Sequence, residues 1–330
     1  MKILLTGATG FLGFRTLEAL IEMPEVSTII ATGRILKPTH TVDHPKVNYQ
    51  LGDLTNEAFA QKLVNQVDYI IHAAALSAPW GNYSAFEAAN VHVQDNLIKA
   101  AQQNTIQRFV YISTPSIYYN GHHRLNVSEA DALPTKFVNA YATTKRLAEI
   151  ALEQSSLPYV ILRPRALIGR GDTVIMPRVL RAYDAGRLKI IGNGQNLVDL
   201  TSVANVAEAI VLSLQVDDPG LNQVYNITNG KPVYLWKKIR LVLELMDKEL
   251  PAKKIPYSLV SNIAQLMEWK AKLTNGQEPT LTKYGVGTLA KSFTLDISKA
   301  KRLLGYAPKV STDEAIREFV AWYQNNTMNL

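Results

Sequence analysis

The sequence predicts an α/β fold with a doubly wound parallel sheet and a smaller C-terminal lobe. Short apolar runs alternate with helical patterns through the first half of the chain, which is typical of βαβ units. These runs lack the polar alternation of a half-exposed strand, as strands buried on both faces should. A length of 330 residues suits one large α/β unit with a companion.

The order of these patterns also predicts how the chain is divided. Predicted strands in the first half are Lys2–Thr6, Thr28–Thr32, Val47–Leu51, Val67–His72, Arg108–Ser113 and Pro158–Leu162. Predicted helices between them are Phe14–Glu22, Asn56–Asn65, Tyr83–Gln103 and Asn139–Gln154. Shorter candidates follow: strands Leu188–Ile191, Leu197–Thr201 and Gln223–Ile227, and helices Val203–Leu214 and Tyr234–Met246. We expect residues 1–165 to form the first domain and 166–330 mostly the second lobe, with segments such as 195–228 returning to the first.

Composition excludes several classes of protein. Cysteine is absent, so disulfides and cysteine-ligated metals are excluded. The net charge of +7 comes without a long basic run, so we expect no nucleic-acid partner. No apolar window is long enough for a spanning helix, so we expect no stable membrane insertion. The N-terminus leads straight into a glycine-rich turn without a signal-peptide pattern, and we expect the cytoplasm.

A metal site is not expected either. The histidine pairs His40/His44 and His122/His123 lie in loops flanked by proline or glycine, with no third ligand nearby. We therefore predict that these histidines are solvated and that the protein binds no metal.

A glycine-rich loop joins the first predicted strand to the first predicted helix. Its pattern is Gly-x-x-Gly-x-x-Gly, in which the glycines permit a tight turn, a close approach of backbone to phosphate, and close packing of helix on strand. The alternative is a purely structural turn, but the strand–turn–helix context favours a pyrophosphate at the helix N-terminus. The predicted phosphate-binding residues are Gly7, Thr9, Gly10, Phe11 and Leu12, with Gly13 packing the helix.

The residues after the second and third strands predict the type of dinucleotide. NAD binders place a carboxylate after the second strand to bond the ribose. Here Arg34 stands instead, which favours the 2′-phosphate of NADP, although NAD is possible. Asp53 and the adjacent Leu54 are placed to contact adenine. Asp53 is equally plausible as a helix N-cap.

Tyr141 and Lys145 form a Tyr-x-x-x-Lys pair on one predicted helical face. The lysine ammonium lowers the pKa of the phenol, so that the tyrosine can exchange a proton near neutral pH. Tyr234 and Lys238 have the same spacing. Only Tyr141 follows a strand end that carries hydroxyls, Ser113 to Ser116, so Tyr141 is the candidate and Tyr234 the chance match.

Taken together, these motifs resemble the extended short-chain dehydrogenase/reductase superfamily over essentially the whole chain. The resemblance implies a Rossmann domain of about seven strands, followed by a small substrate-binding lobe. The motifs that carry it are Gly7/Gly10/Gly13, Asp53-Leu54, His72-Ala73-Ala74-Ala75, Asn90, Thr114, Tyr141/Lys145 and Arg163-Pro164.

The resemblance also implies a role for each site residue. Tyr141 is the general acid and base, and Lys145 holds the nicotinamide ribose and tunes Tyr141. Thr114 binds the substrate oxygen, a role that Ser113 or Ser116 is placed to share. Further cofactor contacts are Ala73, Ala74, Ala75 and Pro164. Homodimerisation through helices Tyr83–Gln103 and Asn139–Gln154 is a family expectation.

Departures from the family pattern discriminate between reactions. Sugar-nucleotide dehydratases carry Asp-Glu after the catalytic threonine, where this chain has Pro115 and Ser116. Nucleotide-sugar epimerases carry a phosphate-binding arginine where this chain has Val198. An apolar side chain cannot pair with a diphosphate, so a nucleotide sugar is disfavoured.

The remaining motifs resemble the 3β-hydroxysteroid dehydrogenase branch. The segments around Arg163-Pro164-Arg165 and Ile175-Met176-Pro177-Arg178 are most similar to bacterial 2-alkyl-3-oxoalkanoate (β-keto acid) reductases of olefin synthesis. Arg165 is placed to clamp a carboxylate beside the nicotinamide, with a surface or interdomain arginine as the alternative. Ser116 and Arg165 are the candidate substrate-binding residues.

These observations predict an NAD(P)-dependent oxidoreductase of lipid metabolism. It interconverts a secondary alcohol and a ketone on an apolar small molecule, a 3-keto/3-hydroxy acid or a 3β-hydroxysteroid-like compound. The alternatives are a nucleotide-sugar epimerase and a non-catalytic dinucleotide sensor; the intact Tyr141/Lys145 pair argues against the sensor. The apolar segment Ser258–Leu273 is open to three interpretations: a lid, a core or dimer-interface helix, or a membrane-contacting helix.

Overall fold

The computed structural model describes residues 1–274 and 278–327. Its strands are β1 (Lys2–Thr6), β2 (Thr28–Thr32), β3 (Val47–Tyr49), β4 (Tyr69–His72), β5 (Arg108–Ile112), β6 (Arg124–Val127), β7 (Tyr159–Pro164), β8 (Leu167–Ile168), β9 (Ile190–Ile191), β10 (Leu197–Val198), β11 (Thr201–Ser202), β12 (Gln223–Ile227), β13 (Val233–Tyr234), β14 (Lys254–Ile255) and β15 (Phe293–Leu295).

The α-helices are α1 (Phe11–Ile21), α2 (Glu57–Val64), α3 (Tyr83–Glu87), α4 (Val93–Gln102), α5 (Ala140–Glu153), α6 (Ile175–Asp184), α7 (Val203–Gln215), α8 (Leu235–Glu244), α9 (Tyr257–Leu273), α10 (Lys283–Ala290), α11 (Ser298–Leu303) and α12 (Thr312–Thr327). A π-helical turn, Ala88–His92, interrupts the single helix predicted over Tyr83–Gln103. The strand predicted at Leu197–Thr201 is two short strands, β10 and β11, which pair in different sheets.

The main sheet is parallel and has seven strands in the order β12-β7-β5-β4-β1-β2-β3. Its strands are buried on both faces because alternate side chains point to opposite layers. Ile3 and Leu5 of β1 join Leu17 of α1 in one core, whereas Leu4 joins Leu97 of α4 in the other. The predicted Rossmann fold is confirmed.

Strand order reverses between β1 and β4. The chain leaves β1 toward β2 and β3 on one side, then crosses to β4 and β5 on the other. The helices that follow β1 and β4, α1 and α4, therefore pack on opposite faces of the sheet, an arrangement that creates a crevice at the carboxyl edge of open α/β sheets. Dinucleotides bind at such a switch point in open α/β sheets.

The smaller lobe has its own core and its own sheet. Trp236 of α8, Leu180 of α6 and Phe319 of α12 pack together in this core. Its four-stranded sheet has the order β13-β10-β15-β6, so β6, from the first half of the chain, pairs in the second lobe. In the other direction, β12 crosses back to complete the main sheet beside β7.

His40 corrects one expectation from the sequence. The prediction of a solvated histidine is wrong, because His40 is only 1% exposed. Its Nε2 is hydrogen-bonded to the Gly171 carbonyl at 2.9 Å, and its ring packs edge-on against Phe14 and Trp322. Burial is the largest cause of the lowered pKa of His40, so the ring is neutral. Through its bond to Gly171, this neutral ring holds the loop after β2 against the second lobe.

Helix α9 covers the predicted apolar segment Ser258–Leu273. Its small residues face inward, whereas large apolar side chains on another face are between 42% and 67% exposed. The exposed residues are Leu259, Ile263, Leu266, Trp269 and Leu273. A core role for this stripe is therefore wrong, since it faces outward from the chain.

Candidate active site

The loop after β1 needs glycine for steric reasons. Gly7 has φ +70°, and a Cβ there would lie 2.7 Å from the backbone nitrogen of Ala74. A Cβ on Gly13 would lie 2.1 Å from the carbonyl oxygen of Gly7. Gly10 is the extended residue that precedes α1, whose first turn carries no acidic side chain. The free N–H groups at this helix start, near Phe11 and at the positive dipole end, suit a pyrophosphate.

Two charged residues follow the strands next to the phosphate loop, Arg34 after β2 and Asp53 after β3. Arg34 follows β2 and is exposed. Asp53 accepts the Thr55 N–H at 2.9 Å, and hydrogen bonds from Thr55 lower the pKa of Asp53, with a further contribution from the charge of Arg34. Asn56, which accepts the Phe59 N–H at 3.1 Å, is the N-cap of α2. The N-cap alternative for Asp53 is therefore wrong.

The residues next to Arg34 and Asp53 are tightly packed. Leu54, which follows Asp53, is buried in the core. Thr9 packs so closely against Gly33 that a Cβ on Gly33 would lie 2.3 Å from the Thr9 hydroxyl. Leu12 lies partly buried against the core of the adjacent layer.

The loop after β4 is bonded to the end of β1. Thr6 Oγ1 accepts the Ala74 N–H at 3.2 Å and is hydrogen-bonded to Nδ1 of His72 at 2.6 Å. Burial and then the charge of Lys145 lower the pKa of His72 to about 3, so the ring is neutral at physiological pH. Ala73 and Ala74 are partly buried and Ala75 is exposed, so this stretch forms the second wall of the crevice.

Asn90 holds this loop against the helix that carries Tyr141. Its side-chain oxygen accepts the Leu76 N–H at 2.8 Å, and its amide donates to the Leu76 carbonyl at 3.2 Å and to Thr144 at 3.1 Å. Asn90 lies in the π-helical turn, a feature often found at functional sites. The extra residue in that turn points the amide inward, where it is 1% exposed.

Tyr141 and Lys145 occupy the first two turns of α5. Asn139 caps this helix by accepting the Ala142 N–H at 2.9 Å. The Lys145 ammonium donates to the Ile112 carbonyl at 2.6 Å and lies 4.1 Å from the ring centroid of Tyr111. Burial lowers the pKa of Lys145 to about 7, against the charge of Glu149.

The phenol of Tyr141 meets the hydroxyls at the end of β5. Burial raises the pKa of Tyr141 above its usual value, although hydrogen bonds with Ser77 and Thr114 act in the opposite direction. The predicted lowering of this pKa by the charge of Lys145 is therefore wrong. Thr114 donates to the Ser116 hydroxyl at 3.1 Å and accepts the Ser116 N–H at 3.2 Å. The structure thus brings the predicted residues Tyr141, Thr114 and Ser116 together.

A buried ion pair lies one helical turn beyond Lys145. Glu149 accepts two hydrogen bonds from Arg163 of β7, at 2.8 and 2.7 Å, and one from Arg146 at 2.9 Å. Burial favours the protonated carboxyl, but the charge and hydrogen bonds of Arg163 outweigh it and keep the pKa of Glu149 below its usual value. Arg163 also donates to the hydroxyl of Tyr118.

Arg165 follows Pro164, the buried last residue of β7. Its guanidinium lies 4.5 Å from the ring centroid of Phe293, and the side chain is nearly buried. Its Nε has no hydrogen-bond partner in the described part of the chain. Burial raises the pKa of Asp199 to about 6, opposed by the Leu295 N–H and by the charge of Arg165. The alternative of a surface arginine is wrong, because the side chain is 8% exposed. The contact with Phe293 of β15 fits the alternative of an interdomain arginine.

Sequence reasoning missed three residues at this site. Ser77 bonds Tyr141 from the loop after β4, and Glu149 anchors Arg163. Tyr284 of α10 reaches the Ser116 hydroxyl from the second lobe at 2.8 Å. Glu149 had a local signal, since it lies one turn after Lys145. Ser77 and Tyr284 had none, because their contacts span many residues of chain.

The arrangement fits a dinucleotide along the crevice between the loops after β1 and β4. Gly7 and Gly13 leave no space for a side chain, and α1 begins with free N–H groups. Lys145 bonds the end of β5, whereas Arg34 follows β2, with β4 and β1 between these two strands. No group of three or more possible metal ligands occurs among residues 1–274 and 278–327. Within these same ranges, no helix combines the length and apolar character needed to cross a bilayer.

A nucleotide-binding sheet with this tyrosine–lysine pair defines an NAD(P)-dependent dehydrogenase or reductase, and comparison with known proteins agrees. The chain belongs to the NAD dependent epimerase/dehydratase family, whose family model matches residues 3–228. The predicted extended short-chain dehydrogenase/reductase membership is confirmed.

Its relatives include a 2-alkyl-3-oxoalkanoate reductase of Stenotrophomonas maltophilia, 33% identical over 97% of this chain and 99% of the relative. A sterol-4-alpha-carboxylate 3-dehydrogenase, decarboxylating, of Candida albicans is 30% identical over 97% of each chain. These relatives are named as oxidoreductases, which confirms the predicted enzyme class.

Solved structures share the fold. An enzyme of Bordetella bronchiseptica, WbmH, in complex with NAD+ has a TM-score of 0.77 at 21% identity, covering 98% of each chain. A UDP-glucuronic acid 4-epimerase of Bacillus cereus in complex with NAD has a TM-score of 0.76 at 22% identity, covering 99% of each chain. Similarity at this identity shows the Rossmann architecture alone.

Proposed function

We propose that this protein is an NADP(H)-dependent reductase of a 3-oxo acid that carries an alkyl chain at C2. The observation that carries the proposal is Arg165, a nearly buried guanidinium whose Nε has no hydrogen-bond partner among the described residues. Its charge acts on the buried Asp199, but no ion pair joins the two side chains within the described part of the chain. Burying such a charge is costly unless an anion pairs with it. The names of relatives that act on 3-oxoalkanoates and sterol carboxylates support a carboxylate beside the reacting carbon.

The mechanism follows from the hydroxyls at the end of β5. The ketone oxygen accepts a hydrogen bond from Thr114, which keeps its proton, and the phenol of Tyr141 transfers one proton to this oxygen as the carbonyl is reduced. NADPH, when bound, supplies the hydride. The ammonium of Lys145 stabilises the phenolate of Tyr141 that forms when the proton is transferred. Burial lowers the pKa of Lys145 to about 7 against the charge of Glu149, so this support is lost as the pH rises above neutrality. Arg165 holds the carboxylate and so orients the carbonyl.

An epimerase function is not favoured. Val198, at the position of the phosphate-binding arginine, is buried in the core of the second lobe and pairs with Val233 and Phe293. It offers no group to a diphosphate. The intact Tyr141/Lys145 pair likewise argues against a non-catalytic sensor.

The test of the proposal is the consumption of NADPH with a 2-alkyl-3-oxo fatty acid. We expect absorbance of the reduced cofactor to fall and the 3-hydroxy acid to appear in equal amount. If the protein reduces a 3-oxosteroid but not the acid, the proposed substrate class is wrong and the proposed ketone reduction stands. Absence of any ketone reduction by cofactor-bound protein would contradict the proposed function.

Replacing Arg165 with methionine tests the carboxylate clamp. We expect KM for the 3-oxo acid to rise about 10- to 100-fold, since a hydrogen bond to a charged group contributes about 1.5–3 kcal/mol. KM for the matched methyl ketone, which lacks the carboxylate, should change little. Arg178, exposed on α6 and paired with Glu278 at 3.0 Å, supplies the control Arg178→Met. Equal increases in KM for the acid and for the methyl ketone would show that Arg165 does not bind the carboxylate.

Replacing Arg34 with alanine tests the choice of cofactor. An arginine at the ribose favours the 2′-phosphate, so we expect KM for NADPH to rise about tenfold while KM for NADH changes little. Lys37, another exposed cation of the same loop, supplies the control Lys37→Ala. Equal losses with both cofactors would assign Arg34 a general role in the fold.

The same proposal includes the oligomeric state and the location of the protein in the cell. We propose a homodimer whose interface is formed by the outward faces of α4 and α5, where Leu147 is exposed. Sedimentation should give the mass of a dimer for the wild type and the mass of a monomer for Leu147→Glu. The expected compartment is the cytoplasm, and cell fractionation tests it. A role in lipid metabolism follows from the alkyl chain of the proposed substrate.

A further inference from the structure

Tyr284 joins the catalytic hydroxyls from the second lobe. Its hydroxyl lies 2.8 Å from the Ser116 hydroxyl, and Ser116 is in turn bonded to Thr114. Its ring packs edge-on against Tyr119, with centroids 5.1 Å apart and an interplanar angle of 88°. Tyr141, Thr114, Ser116 and Tyr284 therefore form a continuous line of hydroxyls across the boundary between the two lobes.

The position of Tyr284 is set by the way α10 docks. A Cβ on Gly287, one turn beyond Tyr284, would lie 1.7 Å from the hydroxyl of Tyr119, so α10 lies directly on that ring. Thr282 caps the helix by accepting the Gly285 N–H at 3.0 Å. The Lys283 N–H donates to the carboxylate of Glu268 on α9 at 2.7 Å. A side chain held by its neighbours on several sides places its hydroxyl with little freedom.

The direction of the hydrogen bonds in this line matters for the reaction. Thr114 now donates its proton to Ser116. To bind a ketone oxygen, Thr114 must turn that proton to the substrate. Ser116 then donates to the oxygen of Thr114, and another group must donate to Ser116. Tyr284 is the hydroxyl within reach, and a phenol is a stronger hydrogen-bond donor than an alkyl alcohol.

We propose that Tyr284 is a positioning residue that orients the Ser116–Thr114 relay toward the substrate oxygen. Tyr284 donates to Ser116, Ser116 donates to Thr114, and Thr114 donates to the oxygen that becomes negative in the transition state. Hydrogen bonds aligned in one direction polarise one another, so the relay strengthens as charge develops. The inference rests on the proposed ketone reduction and adds a residue from the second lobe to it.

The test is Tyr284→Phe, which keeps the ring on Tyr119 and removes only the hydroxyl. We expect kcat for reduction of the 3-oxo acid to fall about tenfold, the effect of one lost hydrogen bond. KM and the dissociation constant of NADPH, measured by protein fluorescence, should stay within about twofold. Ser116→Ala should produce a similar fall. The double variant should lose little more than either single variant, because both act through one relay.

A spectroscopic measurement gives the same answer without turnover. The 3-oxo acid labelled with ¹³C at C3 is bound with NADP⁺, and the infrared band of its carbonyl is recorded. The band should lie at lower frequency in the wild type than in Tyr284→Phe, because a stronger donor polarises the carbonyl more. Tyr234→Phe, at an exposed tyrosine of β13, is the matched control and should leave kcat and the band unchanged.

The outcomes separate this inference from the proposed function. Wild-type reduction of the acid with unchanged kcat and carbonyl band in Tyr284→Phe would overturn the role of Tyr284 alone. A loss confined to KM, or additive losses in the double variant, would overturn it as well. If the wild type reduces a steroid ketone instead, a tenfold fall in kcat on that ketone keeps the inference while the acid substrate is discarded.

Discussion

Replacing Tyr141 with phenylalanine should lower kcat for ketone reduction by about 10²- to 10⁴-fold, the usual contribution of a general acid. The phenylalanine ring keeps the packing in the first turn of α5, so the fold and the binding of NADPH should be preserved. Only the transferable proton is lost, and with it the hydrogen bonds to Thr114 and Ser77. Steady-state oxidation of NADPH, together with a fluorescence titration of cofactor binding, measures both quantities.

The chain contains its own control for this experiment. Tyr234 and Lys238 repeat the spacing of the catalytic pair, but Tyr234 is exposed and Lys238 is paired with Asp313. Tyr234→Phe should therefore keep full activity. Retention of wild-type kcat by Tyr141→Phe would refute the assigned acid and require another proton donor at the end of β5.

Replacing Glu149 with glutamine should destabilise the protein by about 3–5 kcal/mol, because it leaves the buried charge of Arg163 without its counter-ion. The carboxylate of Glu149 is 0% exposed and receives both hydrogen bonds of the Arg163 fork. The amide keeps the shape but can accept at only one oxygen. Urea unfolding followed by circular dichroism measures the change in midpoint.

The neighbouring Glu153 supplies the matched comparison. It pairs with the same Arg146, at 2.9 Å, but its side chain is 27% exposed. Glu153→Gln should cost about 0–1 kcal/mol, as expected for a surface ion pair. Equal losses in the free energy of unfolding for the two variants would show that the buried Glu149–Arg163 pair stabilises the protein no more than the surface pair does. Because the charge of Glu149 also raises the pKa of Lys145, Glu149→Gln should leave less ammonium at neutral pH and reduce activity.

The strands of the main sheet could be predicted because their signal is local. Lys2–Thr6, Thr28–Thr32 and Gln223–Ile227 have the bounds that their apolar patterns predict. A buried parallel strand needs apolar side chains on both faces, so it is visible in a few consecutive residues. The π-helical turn Ala88–His92 was not predicted, because its geometry depends on the amide of Asn90 reaching a distant loop and helix.

The candidate site divides in the same way. Tyr141 and Lys145 share one helix, and Gly7 to Gly13 share one turn, so spacing alone predicts them. Tyr284 is separated from Ser116 by 168 positions in the chain, and no periodicity links the two. The burial of His40 was missed for the same reason, since its partners Phe14 and Trp322 lie on other elements.

The sequence by itself determined the Rossmann sheet, the glycine turn and the tyrosine–lysine pair, because each depends on residues within a few positions of one another. Only the tertiary structure decided that Arg165 is buried beside Phe293, that Glu149 neutralises Arg163, and that a tyrosine from α10 meets the catalytic hydroxyls. The contacts of Arg165 and of the α10 tyrosine join segments from both lobes, and the Glu149–Arg163 pair joins α5 to β7. Burial and pairing energies depend on what lies across such an interface, and that information is not contained in any local pattern.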